Sequence, residues 1–225
     1  MIITHHGTAV NGIDVAKYQG VVSVPPVRPD WLSFFAFKAT DSQKLSEGMV
    51  DPQFVNNRVA GNKLDVRWRP IYMYLRDPAE HGTIDEQFAV YCQTVGKIRP
   101  GECVMVDWEE YRVSLDDVLH LEELIRPIYG PSRWCMYVND MTPDMTTWME
   151  TNLESVDPVP VIHPNYTPNG LTEAQNWGAA VWQVGVANRE TCLDPFELYP
   201  QASGIDVDWV LKPDAMDQVC GRALC

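Results

Sequence analysis

The sequence predicts an α/β fold, a closed barrel of eight strands, and three observations lead there. Short apolar, β-branched runs recur eight times along 225 residues, helix-like patterns separate the earlier runs, and carboxylates sit at the ends of the first, a middle and the last run. Strands far apart in sequence share one mouth most simply when a barrel closes on itself.

Taken in order, residues 12–17 form the first strand, with Ile13 and Val15 flanking Asp14 and Gly20 soon after, and residues 34–39 form the second. A helix is expected from Asp51, read as its N-cap, with Pro52 at the first helical position and Gly61 as a stop. Residues 70–75 make the third strand. The stretch from Thr83 to Val95 spaces Ile84, Phe88, Tyr91 and Val95 helically, with Asp85 and Glu86 in its first turn. The fourth strand covers residues 102–106. Ser114, followed by Asp116 and Asp117, caps a helix carrying Val118, Leu121, Leu124 and Ile125, and Pro127 is expected to end it. A fifth strand spans residues 133–137.

Beyond residue 155 the helical patterns fade among Pro158, Pro160, Pro164 and Pro168. Strands are expected at residues 159–163, 179–184 and 204–210, joined by loops, with no clear periodicity over residues 185–203. The expected architecture is therefore an irregular TIM-like barrel of about five βα units followed by three further strands. No repeat or linker divides the chain, and residues 1–225 read as one domain with no separate module.

Composition narrows the function classes. A formal charge of −14 repels a nucleic-acid backbone, so no nucleic-acid partner is expected. No apolar run reaches the roughly 18 residues of a membrane span, so no membrane insertion is expected. The N-terminus lacks the basic and apolar regions of a secretory signal. Six cysteines contain no CxxC pair and five histidines contain no HExxH, so neither metal nor cofactor is expected. Cys103 and Cys135 read as small buried hydrophobes, Cys220 and Cys225 as able to pair in an oxidising compartment, and His5-His6 as a frayed terminus.

The chemistry concentrates at Val104-Met105-Val106-Asp107-Trp108-Glu109-Glu110. Side chains alternate along a strand, so Asp107 and Glu109 share a face about 6.5–7 Å apart. Asp14 in the first strand and Asp206 and Asp208 in the last add carboxylate to the same mouth. Without that convergence, an acidic turn after an ordinary strand would explain the segment equally well.

These residues resemble the glycoside hydrolase family 25 muramidases, the Chalaropsis-type lysozymes, many of which are phage endolysins. The resemblance rests on Gly-Ile-Asp-Val-x-x-x-Gln-Gly at 12–20, Phe-Lys-Ala-Thr with an acid at 37–41, Asp-Pro-x-Phe-x-x-Asn at 51–57, Asp-x-Glu at 107–109, Trp182-Gln183, and Val207-Asp208. It implies hydrolysis of the β-1,4 bond between N-acetylmuramic acid and N-acetylglucosamine, with the peptidoglycan glycan strand as partner. By motif, Glu109 matches the proton donor, Asp107 its neighbouring carboxylate, Asp14 the first-strand acid and Asp208 the last-strand acid, for which Asp206 competes.

Glycoside cleavage needs one acid to protonate the leaving oxygen and negative charge near an oxocarbenium-like centre. Glu109 is therefore expected to keep its proton while Asp14, Asp107 and Asp208 stay ionised. Lys38, Tyr72, Tyr74, Tyr137, Tyr166, Trp182, Gln183 and Asp206 are the expected substrate-binding residues, the aromatic ones offering planes on which sugar rings stack. Trp108, pointing away from its acidic neighbours, is expected in the outer layer.

The chain departs from the family pattern at Asp41-Ser42 after Lys-Ala-Thr, at Met73 in the third strand and at Trp209 in the last. The absence of an export signal fits a protein held in the host cytoplasm until a holin-type pore releases it to the wall, or one assembled into a virion. A non-catalytic wall-binding or virion structural module on the same barrel is the alternative, as is action on another polysaccharide.

Overall fold

The computed structural model describes residues 10–41, 50–139, 141–166, 169–187, 198–199, 201–202 and 204–220. Its strands are β1 (Val10–Val15), β2 (Leu32–Asp41), β3 (Arg69–Tyr74), β4 (Glu102–Trp108), β5 (Trp134–Val138), β6 (Val161–Pro164), β7 (Val181–Ala187) and β8 (Ile205–Val210). They close into one barrel in sequence order. Strands β1 to β7 run parallel where they pair, whereas β8 lies antiparallel to both β7 and β1. The barrel and all eight strand positions agree with the sequence reading.

The helices are α1 (Phe54–Lys63), α2 (Pro78–His81), α3 (Ile84–Val95), α4 (Leu115–Tyr129), α5 (Pro143–Glu154), α6 (Gly170–Asn176) and α7 (Pro213–Cys220). Thr83 and Ser114 cap α3 and α4 as expected, each in a reciprocal box with the residue three positions on.

Three helix expectations need correction. Asp51 does not cap α1; its carboxylate accepts from the backbone N–H of Lys17 and of Gln53, tying the chain after β1 to the start of the helix, which then runs through the expected stop at Gly61. Pro127 does not end α4. It lies in the last turn, where a proline removes a single hydrogen bond, and the helix stops when Gly130, at φ 99°, donates to Arg126 O. The strand connections after residue 155 are not all loops, because α6 lies between β6 and β7.

Alternation along each strand divides the core into two layers. Phe35, Phe37, Ile71, Met73, Val104, Val106 and Trp108 face outward, and Trp108 is fully buried there with its indole donating to Val113 O at 3.1 Å. The inner layer holds Phe34, Ala36, Tyr72, Cys103, Met105, Cys135, Tyr137 and Ile162. Helix α7 closes the floor, packing Met216, Val219 and Cys220 against the inner layer. Asp217 on the same helix accepts from the Trp68 indole at 2.9 Å and pairs with Arg67 at 2.5 Å.

Cys103 and Cys135 are buried free thiols, in agreement with the sequence. Cys220 is also free, its sulfur 3.4 Å from that of Cys103, while Cys225, His5 and His6 lie outside the described residues.

Candidate active site

The carboxyl ends of the parallel strands surround a pocket of about 210 Å³. Asp14 points into it because its neighbours Ile13 and Val15 face the outer layer. Antiparallel pairing sets Asp14 directly opposite Asp206 of β8. On the far side, Asp107 is in register with Tyr74 of β3 and Tyr137 of β5. Glu109 stands just past the end of β4 and lines the same pocket. First, fourth and eighth strands thus deliver four carboxyl groups to one mouth.

Gln183 organises the wall nearest Asp14. Its amide donates to Asp14 Oδ2 at 2.6 Å, and its Oε1 accepts from the Tyr137 hydroxyl at 2.7 Å and from the Tyr166 hydroxyl. Tyr72 donates to Val15 O at 3.1 Å, which fastens β3 to the end of β1. Lys38 Nζ rests over the Tyr74 ring at 4.8 Å and the Tyr72 ring at 5.5 Å, 3.5 Å from Asp41 Oδ2. Asp41, one of the departures from the family pattern, is also paired with Arg76 at 2.8 Å; Arg76 in turn stacks on Tyr74 and reaches Glu110 at 3.9 Å.

Burial dominates the electrostatics. It pushes Asp14 and Asp107 well above the usual carboxylate range, with Asp206 adding to the effect at Asp14 and Glu109 at Asp107. Asp206 is pushed up to about 6, by burial first and by Glu109 second. Glu109 is raised by burial, while a hydrogen bond with Tyr137 and the charge of Lys38 pull it back. The expectation of one protonated glutamate among ionised aspartates is therefore widened: burial disfavours the ionised form of Asp14 and Asp107 as well.

Two of the expected site residues lie elsewhere. Asp208 is completely buried in the barrel interior beneath the pocket, two residues along β8 from Asp206, which holds the place facing Asp14. Trp182 faces outward, the opposite side from Gln183, and its indole donates to Asn165 O at 2.8 Å while its ring packs edge-on against Trp209 at 5.4 Å. Lys38, Tyr72, Tyr74, Tyr137, Tyr166, Gln183 and Asp206 all line the pocket as expected.

Ala16, Tyr18, Gln19 and Met105, which are not among the expected site residues, complete the lining. Gln19 had a signal, since it belongs to the Gln-Gly that closes the first-strand motif; its side chain accepts from Ala16 N at 2.8 Å and donates to Gly204 O at 3.3 Å. Among the described residues, no group of three or more His, Cys, Asp or Glu side chains is arranged to hold a metal ion.

Neither a protein-family model nor a curated protein matches the sequence. Solved structures do match the fold. A bacterial lysozyme from Streptomyces coelicolor superposes with a TM-score of 0.69 at 14% identity, over 97% of this chain and 100% of that one. A family 25 glycosyl hydrolase from Bacillus anthracis gives 0.63 at 18% identity, over 93% and 94%. The modular Cpl-1 endolysin, solved with a peptidoglycan analogue, gives 0.54 at 12% identity over 90% of this chain and 54% of that one. The chain shares the barrel fold of these proteins.

Proposed function

We propose that the protein is an N-acetylmuramidase, hydrolysing the β-1,4 bond between N-acetylmuramic acid and N-acetylglucosamine in peptidoglycan. The observation that carries this reading is the convergence of Asp14, Asp107, Glu109 and Asp206 in one half-enclosed mouth walled by tyrosines. A glycan strand lying across it meets ring planes at Tyr74, Tyr137 and Tyr166, and carboxyl groups beneath the scissile bond. Glu109, just past the end of β4 and less enclosed than Asp107, protonates the leaving oxygen. Asp206, which faces Asp14 and is the more readily ionised of the two, supplies negative charge to the opposite side of the oxocarbenium-like centre, and Asp14 orients the N-acetyl group. Burial holds the proton on Glu109 against the pull of Tyr137 and Lys38, and Gln183 fixes the Asp14 carboxyl.

Desolvating several carboxyl groups together disfavours the fold and is hard to explain in a module that only binds. The enzyme reading is therefore preferred to the wall-binding one. The setting we propose with it is a phage protein that lyses or penetrates the bacterial wall, held in the host cytoplasm until a holin opens a path, or carried on the virion. Mass spectrometry of purified virions separates those two routes.

The decisive experiment measures new reducing ends released from purified peptidoglycan by the native protein and by Glu109→Gln, with folding checked by circular dichroism. Native activity that falls about a thousandfold in the variant supports the reading, since a general acid contributes on the order of 10²–10⁴ in rate. Native protein that sediments with walls and releases nothing overturns it in favour of a binding module.

A further inference from the structure

We propose that Asp208 is a neutral, protonated carboxyl stored beneath the active-site mouth, and that its ionisation sets the upper pH limit at which the β1–β8 seam holds Asp14 and Asp206 face to face. Asp208 acts as a positioning residue; it does not touch substrate. It is completely buried, and among the described residues neither of its oxygens has a hydrogen-bond partner. A carboxylate in that state lacks both water and a counter-ion, whereas the protonated acid loses far less on burial.

The surroundings explain why no partner arrives. Asp208 pairs in register with Gly12 of β1 and Gln183 of β7. Gly12 offers no side chain and has room for none, because a Cβ there would come within 2.4 Å of Phe34. Gln183 turns its amide to Asp14 and its carbonyl oxygen to two tyrosines.

The charges that reach Asp208 are those of Asp14 from β1 and Asp206 from its own strand, both carboxyls that favour retention of the proton. Lys38 of β2 directs its charge to Asp14, Asp107 and Glu109. Among the described residues, the other titratable side chains of this inner cluster, Tyr72, Tyr137, Cys103, Cys135 and Cys220, are phenols and thiols that bring no positive charge, and Phe34, Ala36, Met105 and Ile162 are apolar.

Burial raises the folded-state value well above the ordinary carboxylate range. The stability contributed by the protonated group is thus complete below the unfolded value near 4 and is lost as pH rises through the folded value. Above it, a negative charge with no partner opens the seam that sets the Asp14–Asp206 register.

The test compares native protein with Asp208→Asn, a neutral group of nearly the same shape, and with the smaller Asp208→Ser as a second neutral variant. Infrared difference spectra at about pH 7 should show a protonated-carboxyl band in native protein that both variants lack. The melting temperature of Asp208→Asn minus that of native protein should be near zero at about pH 4 and grow as pH rises. The alkaline limb of peptidoglycan hydrolysis should move up by about one pH unit or more in Asp208→Asn, with activity on the acid side within about threefold of native. An unchanged infrared band, a melting difference independent of pH, or an unmoved alkaline limb each overturns the proposal. The activity arm rests on the muramidase reading; the infrared and melting arms do not, so absence of hydrolysis by every form sinks that reading and leaves those two arms to decide on Asp208.

Discussion

Strand β4 carries a carboxyl group at its first residue and another next to its last, and the two ends are built on opposite principles. At its start, Glu102 is fully buried and fully served: Arg58 Nε donates to Oε1 at 3.0 Å, Arg58 NH2 to Oε2 at 2.7 Å, and the Arg99 backbone N–H to Oε2 at 2.8 Å. Arg58 also donates to Val95 O and Lys97 O, which anchors the start of β4 and the end of α3 to α1. At the other end, Asp107 is nearly as buried, yet among the described residues its Oδ1 has no hydrogen-bond partner, and the charge that acts on it most strongly is another carboxyl, Glu109. Depth alone does not distinguish them. The supply of donors does, and it separates a carboxylate that holds the fold together from one that is kept reactive at the fold's expense.

The sharpest way to break this comparison is to remove the paired end. Glu102→Ala leaves the Arg58 guanidinium buried without its counter-ion, so the unfolding free energy from urea denaturation should fall by about 3–5 kcal/mol. A loss below about 1 kcal/mol would mean that the surrounding carbonyls suffice for Arg58 and that pairing is not what stabilises this end.

The mouth should answer in the opposite sense, and more gently. Asp206 is raised to about 6 from an ordinary value of 3.8, so the folded state binds the extra proton. Its favourable contribution is complete below about pH 4 and lost as pH rises through about 6. Asp206→Asn should therefore melt higher than native protein above about pH 6 and equally below about pH 4, while hydrolysing peptidoglycan poorly throughout. A variant that melts lower at every pH would place Asp206 with Glu102, as a residue the fold needs.

How far these sites could be read in the sequence follows from which patterns are local. The eight strands were legible because a barrel strand buried on both faces is a short β-branched or aromatic run, and the glycines and helices between them break the pattern. Helix α5 carried its own signal, Thr142 as cap, Pro143 next, and Met145, Trp148 and Met149 on one face, but its polar remainder hid it among turn-like residues. Asp107 and Glu109 were legible because two-residue alternation puts both on one face.

That same rule could not choose between Asp206 and Asp208, which also share a face. Their depth is fixed by register against β1, where Asp14 meets Asp206 and Gly12 meets Asp208, and register between the first and last strands leaves no mark in either segment. Trp182 and Gln183, as neighbours, could not both face the pocket. The choice between them depended on the phase of β7, which the Gln183 hydrogen bonds to Asp14 and Tyr137 now reveal.

A third setting for the same chemistry completes the comparison with the smallest expected effect. On α4, Glu122 and Arg126 are one helical turn apart, and both Arg126 Nε and NH2 donate to Glu122 Oε1, so the contact is as close as the one at Glu102. Here, however, the Arg126 side chain is 55% exposed, against 10% for Arg58. Water already solvates the guanidinium before pairing, and salt screens what remains. A double-mutant cycle with Glu122→Gln and Arg126→Gln should give a coupling of about 0.3–0.5 kcal/mol that shrinks as salt is added. Coupling above about 1.5 kcal/mol and indifferent to salt would show that close geometry governs a carboxylate's worth in this protein; the expected small value would leave the exclusion of water, with donors supplied or withheld, as the quantity that distinguishes Glu102 from Asp107.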